Sequence, residues 1–230
     1  MIEFLEESVF FGAFISLLFY EAGLLMKKKF RLAIFNPLLI AILCVMAVLL
    51  LLDIDYDTYN EGAKYISYLL TPATVCLAVP LYRQLQLLRD NLAAVVIGII
   101  SGVAASLLSV FGLSKLFGLN HQMYVSLLPK SITTAIGMGV SEELGGIVTI
   151  TVAVIIITGI LGNAIAEVVF RIFRIYDPIA RGLGLGTSAH AIGTAKAMEL
   201  GAVEGAMSSL AIAVAGLLTV IFASAASGLM

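Results

Sequence analysis

Long apolar runs broken by short polar stretches govern this chain from end to end. Five runs, Ser8 to Met26 (with Glu21 near its end), Ala33 to Leu52, Leu92 to Leu119, Gly146 to Phe170 and Gly205 to Met230, stand out. They predict spanning helices, because a hydrocarbon core of about 30 Å takes about 20 residues of helix. Three further segments have the length but are interrupted by polar residues, glycine or proline: Ala63 to Tyr82, Met123 to Val140 and Ile179 to Leu200. The pattern predicts an all-α polytopic protein of about seven spans, formed as a single membrane domain over 1–230.

Composition agrees: 61% of residues are hydrophobic and 12% charged, against roughly a quarter charged in soluble domains. Mean hydropathy is +1.09. The opening MIEFLEESVF carries acids where a secretory signal carries basic residues, so segment 8–26 is expected to remain as an extra span. Cys44 and Cys76 lie apart in apolar stretches and form no CxxC pair. They suggest neither a disulfide framework nor a metal site, and no cofactor is implied. Nucleic-acid binding is not indicated either, because the basic clusters are short and topology explains them.

Lysine and arginine in short loops set orientation, with acids counting for little. Lys27, Lys28, Lys29 and Arg31, then Arg83 and Arg89, then Arg171, Arg174 and Arg181 are expected on the cytoplasmic side. The N-terminus and the acidic connections Asp53 to Asp57 with Glu61, Glu142-Glu143, and Glu199 with Glu204 are then expected outside. This alternation holds only if the segment at 123–143 enters and returns on one face. A re-entrant hairpin needs its loose backbone buried in protein or lining a cavity. LLPKSITTAIGMGV suits that role through Pro129, small residues and hydroxyls; an ordinary span is the alternative. A shift of 116 residues lays 33–52 on 149–168, 63–82 on 179–198 and 92–119 on the last span. Under this topology each pair runs in opposite directions, as approximate inverted repeats 33–119 and 146–230 would.

Within GTSAHAIGTAKAMEL, 186–200, Thr187, His190 and Thr194 share one helical face. Ser188 is about 200° from His190 on a helix and shares no face with it, and no GxSxG elbow exists. Neither a serine hydrolase nor another intramembrane enzyme is suggested. Gly182, Gly184, Gly186 and Gly193 each weaken a helix by about 1 kcal/mol relative to alanine, which predicts an unwound middle. Candidate helix breaks are Asn36, Pro37, Pro72, Pro80, Pro129, Gly186 and Gly193. An ionisable group at membrane depth marks a pathway or a paired interior site. Lys130, beside Ser131, Thr133 and Thr134, is a cation for an anionic substrate or a snorkelling side chain. His190 is a proton carrier or a packed core residue. Lys196 and Glu199, three apart, read first as an ion pair near the outer surface, with a coupling role for Glu199 as the alternative.

NPLL at 36–39, PLYRQL at 80–85, LLPKSITTAIGMGV at 127–140 and RGLGLGTSAHAIGTAKAMELGAVEGAMSSLA at 181–211 together resemble the LrgB/CidB family of bacterial membrane proteins over nearly the whole chain. One departure is Ala189, which separates Ser188 from His190 where members have serine next to the histidine. The resemblance implies two functions. One is an antiholin-like role beside a small LrgA/CidA-type membrane partner, modulating murein hydrolase export and autolysis. The other is transport of small monocarboxylates such as glycolate, glycerate and pyruvate, as in a related plastid protein. It also implies a bacterial plasma-membrane location and a homo-oligomer in the lipid bilayer. Helix N-termini, hydroxyls and a cation suit a carboxylate carrier, so Lys130, Ser131, Thr133, Thr134, Thr187 and Thr194 are expected to bind substrate in one cavity with His190, and His190 or Glu199 to couple transport.

Overall fold

The computed structural model describes residues 8, 10–30, 36–76 and 78–230, and every regular element among them is helical. Most of the opening MIEFLEESVF, and residues 31–35 with Arg31 and the start of the second apolar run, lie outside the described residues. The chain divides into two compact units, Met1–Cys76 and Leu77–Met230.

In the first unit, α1 (Phe11–Phe30) packs against α2 (Pro37–Leu52) and α3 (Tyr56–Ser67), and α4 (Leu70–Cys76) follows. The Asn36 side chain accepts from the backbone N–H groups of Leu38 and Leu39, at 2.9 and 3.3 Å. Pro37 occupies the first helical turn, where its missing N–H is harmless. The Asn-Pro pair, a candidate helix break at the opening of the second apolar run, therefore starts a helix and does not interrupt one. Pro72 is the third residue of α4, also at a helix start. Phe11, Ile15, Val45 and Ile54 fill the core of this unit.

The second unit runs α5 (Ala78–Arg83, with Pro80 third), α6 (Leu85–Asp90), α7 (Leu92–Leu116), α8 (His121–Leu127), α9 (Thr134–Glu143), α10 (Val148–Ile172), α11 (Pro178–Leu200) and α12 (Ala202–Ser227). Helices α7, α10 and α12 are long and apolar enough to cross a membrane, and α2 is a shorter apolar helix. On α10, Ile157, Leu161, Ile165, Val168 and Ile172 form one exposed apolar stripe. Such a stripe is unsuited to water and suited to acyl chains. The chain is a membrane protein, all-helical over its described residues.

α7 and α12 lie side by side and run the same way. Val95, Ile99 and Val103 pack with Ala206, Met207, Ala211 and Ala215, and farther along Val110 packs with Ala223. At their far ends, the His121 ring meets the Met230 carbonyl at 2.6 Å and the Tyr124 hydroxyl donates to Ala226 O at 2.9 Å. From there α8 descends, and a turn at 128–133 reverses the chain. Pro129 lacks the N–H that would continue a helix. Arm α9 returns antiparallel, with Gly137 level with Pro129 and Ser141 level with Ser126. The root of this hairpin is tied to α10: Ser126 Oγ accepts from Ile147 N at 2.7 Å, and Thr151 Oγ1 donates to Ser126 O at 2.9 Å and lies 2.6 Å from Ser141 Oγ. Ser126→Ala leaves the Ile147 N–H without that acceptor. We expect a loss of about 1–3 kcal/mol, measured as a lowered Tm in detergent.

The largest departure from the expected topology is at α11. At His190 the backbone takes φ 42°, ψ −135°, interrupting the helix. A side chain on Gly193 would run into the Leu185 carbonyl and Ala189 Cβ. Residues 185 and 193 would be about 12 Å apart on a continuous helix. The arms 178–189 and 191–200 therefore fold back on one another. Gly182 and Gly186 lie against α12 at Glu204 and Ser208, Asn163 of α10 donates to Ile192 O at 3.1 Å, and Leu200 returns beside Arg171, Tyr176 and Arg181.

The expected span at 179–200 is thus a hairpin, and Glu199 and Glu204 sit at the arginine-bearing end instead of the opposite one. The acids carried no weight in the orientation rule, so nothing in the charge pattern detected the reversal. It also inverts the last span, which begins at the arginine end. Consequently 92–119 and the final span are parallel where the 116-residue shift required them to be opposed.

Candidate functional site

Two helical hairpins enter the second unit from opposite ends and meet midway. On α7, Ser106 Oγ donates to Ser131 Oγ at 3.1 Å, while Gly102 leaves room for the Thr187 side chain. Gly102 and Ser106 are four residues apart, neighbours on one helical face, so the two tips touch successive turns of α7. On α10, the Ile155 side chain lies against Gly137 of the first hairpin, and the Ile155 carbonyl accepts from His190 Nε2 of the second at 2.9 Å. Gly159, one turn on, is bare because a Cβ there would strike the imidazole.

The first tip concentrates donors. Lys130 Nζ donates to Ser131 Oγ at 3.0 Å. Ser131 thus accepts from both Lys130 and Ser106, which fills its two lone pairs and leaves its own proton to donate. Thr133 is the extended residue before α9 and makes no side-chain cap. The first N–H groups of α9, beginning at Thr134, carry the positive end of the helix dipole at this tip. The return arm of the second hairpin starts at residue 191, directly after the break at His190. Among the described residues no carboxylate lies within ion-pair distance of Lys130. A half-buried ammonium, a hydroxyl proton and the N-terminus of α9 form a setting for a small anion.

The expected residues divide into four groups. Lys130, Ser131, Thr133 and Thr134 lie at one tip, and Thr187 and His190 at the other. Thr194 is behind the tip: it donates to the His190 carbonyl at 3.1 Å and meets Ser208 Oγ at 2.7 Å, fully buried. The break at His190 puts Thr187 and Thr194 on different arms, so they share no continuous helical face. Glu199 is at the hairpin root, where Lys196 Nζ lies 2.5 Å from Glu167 and 3.4 Å from Glu199. Gly186 and Gly193 do not break the helix; they are contact points where it touches α12 and its own first arm.

His190 is 3% exposed, with its ring engaged on Ile155 and its carbonyl on Thr194. A non-glycine residue at positive φ costs about 1–3 kcal/mol and persists where surroundings enforce it. These two bonds supply that enforcement. Sequence reasoning passed over Ser106, Ile155, Gly159 and Asn163. Ser106 was visible only as one of several small residues on an apolar run, although Asn163, a lone amide at membrane depth, is itself a signal. A groove of about 680 Å³ between α7 and the arm 178–189 extends from Asn91 and Asp177 to Gly102, Ala105 and Thr187, leading from the arginine-bearing end to the second tip.

No solved structure matches this chain. Two relatives named "Antiholin-like protein LrgB", from Bacillus cereus (strain B4264) and Bacillus anthracis (strain A0248), are each 38% identical to it over 213 residues, 92% of this chain and 93% of each relative. The LrgB-like family matches residues 16–229, which takes in both hairpins and the three long apolar helices. The chain belongs to the LrgB-like family.

Proposed function

We propose that the chain is an antiholin-like membrane protein, as its relatives are named, and that its molecular activity is to carry small monocarboxylates of the pyruvate, glycolate or glycerate class. The antiholin-like half rests on the family and its named members. The transport half rests on one observation: a lysine with no carboxylate partner among the described residues, bonded to Ser131, which also accepts from Ser106, where two opposed hairpins meet. Lesion-forming or lesion-modulating activity has no need of that arrangement, whereas an anion crossing the membrane needs donors in place of its water.

In this reading the protein is a multi-pass component of the bacterial plasma membrane, with its N-terminus outside. The end bearing Arg83, Arg171 and Arg181 faces the cytoplasm. It works beside an LrgA/CidA-type membrane protein, as a homo-oligomer. Effects on murein hydrolases then follow from moving weak acids across the membrane.

Uptake of labelled pyruvate and glycolate into liposomes holding the purified chain, with and without the small partner, tests the proposal. Saturable uptake without leakage of an unrelated dye supports transport. Dye leakage with no saturable uptake leaves the antiholin-like reading alone. A transport-dead variant that still alters autolysis normally breaks the link between the two.

A further inference from the structure

The return arms of the two hairpins share a sequence. Ala135-Ile136-Gly137 and Glu143-Leu144-Gly145 recur 56 residues later as Ala191-Ile192-Gly193 and Glu199-Leu200-Gly201. The contacts recur with the letters. Gly137 packs on the Pro129 carbonyl and Gly193 on that of Leu185, which are again 56 apart. Ile136 reaches Gly216 on α12, and Ile192 reaches Gly159 on α10, so each hairpin's isoleucine lies on a glycine of the helix that follows the other hairpin. Each outgoing arm opens with an Asx cap accepting from the third residue on: Asn120 from Met123 N at 2.8 Å, and Asp177 from Ala180 N at 2.9 Å. Ser131 and Thr187, also 56 apart, are the hydroxyls that meet α7 on successive turns. The following long helices, α10 and α12, run in opposite directions.

We infer that residues 121–172 and 178–227 are two inverted copies of one hairpin-plus-helix unit, and that the hairpins are alternate gates to a single site, each opening toward its own root. This rests on the reading of the crossing as a carboxylate site and adds how the site is reached. Two copies of opposite direction have two equivalent arrangements available, one with the first hairpin seated on α7 and the second loosened, the other reversed. The seated first hairpin is identified by the Ser106–Ser131 bond, and the seated second by the His190–Ile155 bond.

The test uses the full chain in vesicles, with Cys44→Ala and Cys76→Ala, and adds either Ala135→Cys or Ala191→Cys, equivalent and exposed positions. A membrane-impermeant maleimide is applied to right-side-out and inside-out vesicles. Ala135→Cys should react from the face bearing Met230, and Ala191→Cys from the face bearing Arg181. Ser106→Cys with Ser131→Cys, whose native oxygens are 3.1 Å apart, then closes a disulfide that holds the first hairpin down. Oxidation should reduce labelling at 135 by about tenfold or more, as for an open state held to a minor population, while labelling at 191 is kept or raised and reductant reverses both effects.

Reaction of both positions from one face, or equal silencing of both by the disulfide, overturns the inference. Pyruvate binding to wild-type protein, measured by calorimetry, is a separate arm. Sided labelling without binding keeps the gates and removes the carboxylate, and binding without sided labelling does the reverse.

Discussion

Lys130→Met should lower carboxylate affinity by about ten- to a hundredfold, the equivalent of about 1.5–3 kcal/mol for a hydrogen bond to a charged group. The ammonium has Ser131 as its hydrogen-bond partner and, among the described residues, no counter-ion. A substrate carboxylate supplies the missing charge, so the interaction strengthens on binding and contributes little to folding. The variant should therefore keep its Tm while losing saturable uptake. Methionine keeps the unbranched stem, one atom shorter, and removes the charge and donors together, and Lys130→Arg should retain part of the affinity. Glu199→Gln, at the distant root, should leave affinity unchanged. A Lys130→Met protein with normal affinity and uptake would show that the ammonium does not hold the anion.

Gly186→Leu should prevent the second hairpin from docking and yield no folded protein. Even the Cβ of Gly186→Ala would lie 2.6 Å from Ser208 O and 2.7 Å from Ala211 Cβ, with Ser208 Cα at 3.0 Å. The obstacle is main chain, which cannot swing aside as a side chain does. Overpacking typically costs about 1–3 kcal/mol, occasionally more, so alanine should lower Tm measurably. Gly184→Ala is the internal control: nothing lies within 4 Å of a Cβ there. It should stabilise the arm by up to about 1 kcal/mol through helix propensity. Equal Tm changes at 184 and 186 would mean that the glycines matter only through backbone freedom and that close approach to α12 is irrelevant.

The contrast between those two glycines shows what could be read from the sequence. Hydropathy marks α7, α10 and α12 because length and apolarity are local properties. A proline after an apolar run is equally local, and α8 stops at Leu127, two residues before Pro129. The reversal at His190 has no such marker. Its turn is Ala189-His190-Ala191, and the positive φ is imposed from outside by Ile155 and Thr194. Glycines at 182, 186 and 193 looked like weak points because their effect on an isolated helix is to weaken it, yet their role is set by partners many residues away. Charge did not correct the error, because the one lysine near the misplaced end of α11, Lys196, read as the partner of Glu199 and was left out of the orientation count, while the acids there carry no weight. The 56-residue repeat was available in the sequence but short, whereas the longer shift of 116 matched spans by hydropathy and expected direction, with few shared residues. Lys130 with Ser131 was legible as an unusual pair in an apolar setting; Ser106 became chemically meaningful only once the fold placed it against them.

α10 separates its duties by face. Ile155, Gly159, Gly162 and Ala166 carry the second hairpin, while Ile157, Leu161 and Ile165 are bare. Only one helix diameter, about 10 Å, stands between the imidazole of His190 and whatever surrounds the protein laterally. On the gating proposed above, changes in chain packing or thickness of the surrounding lipid would act on a wall one helix deep, and membrane fluidity would be an input to the rate at which the hairpins move.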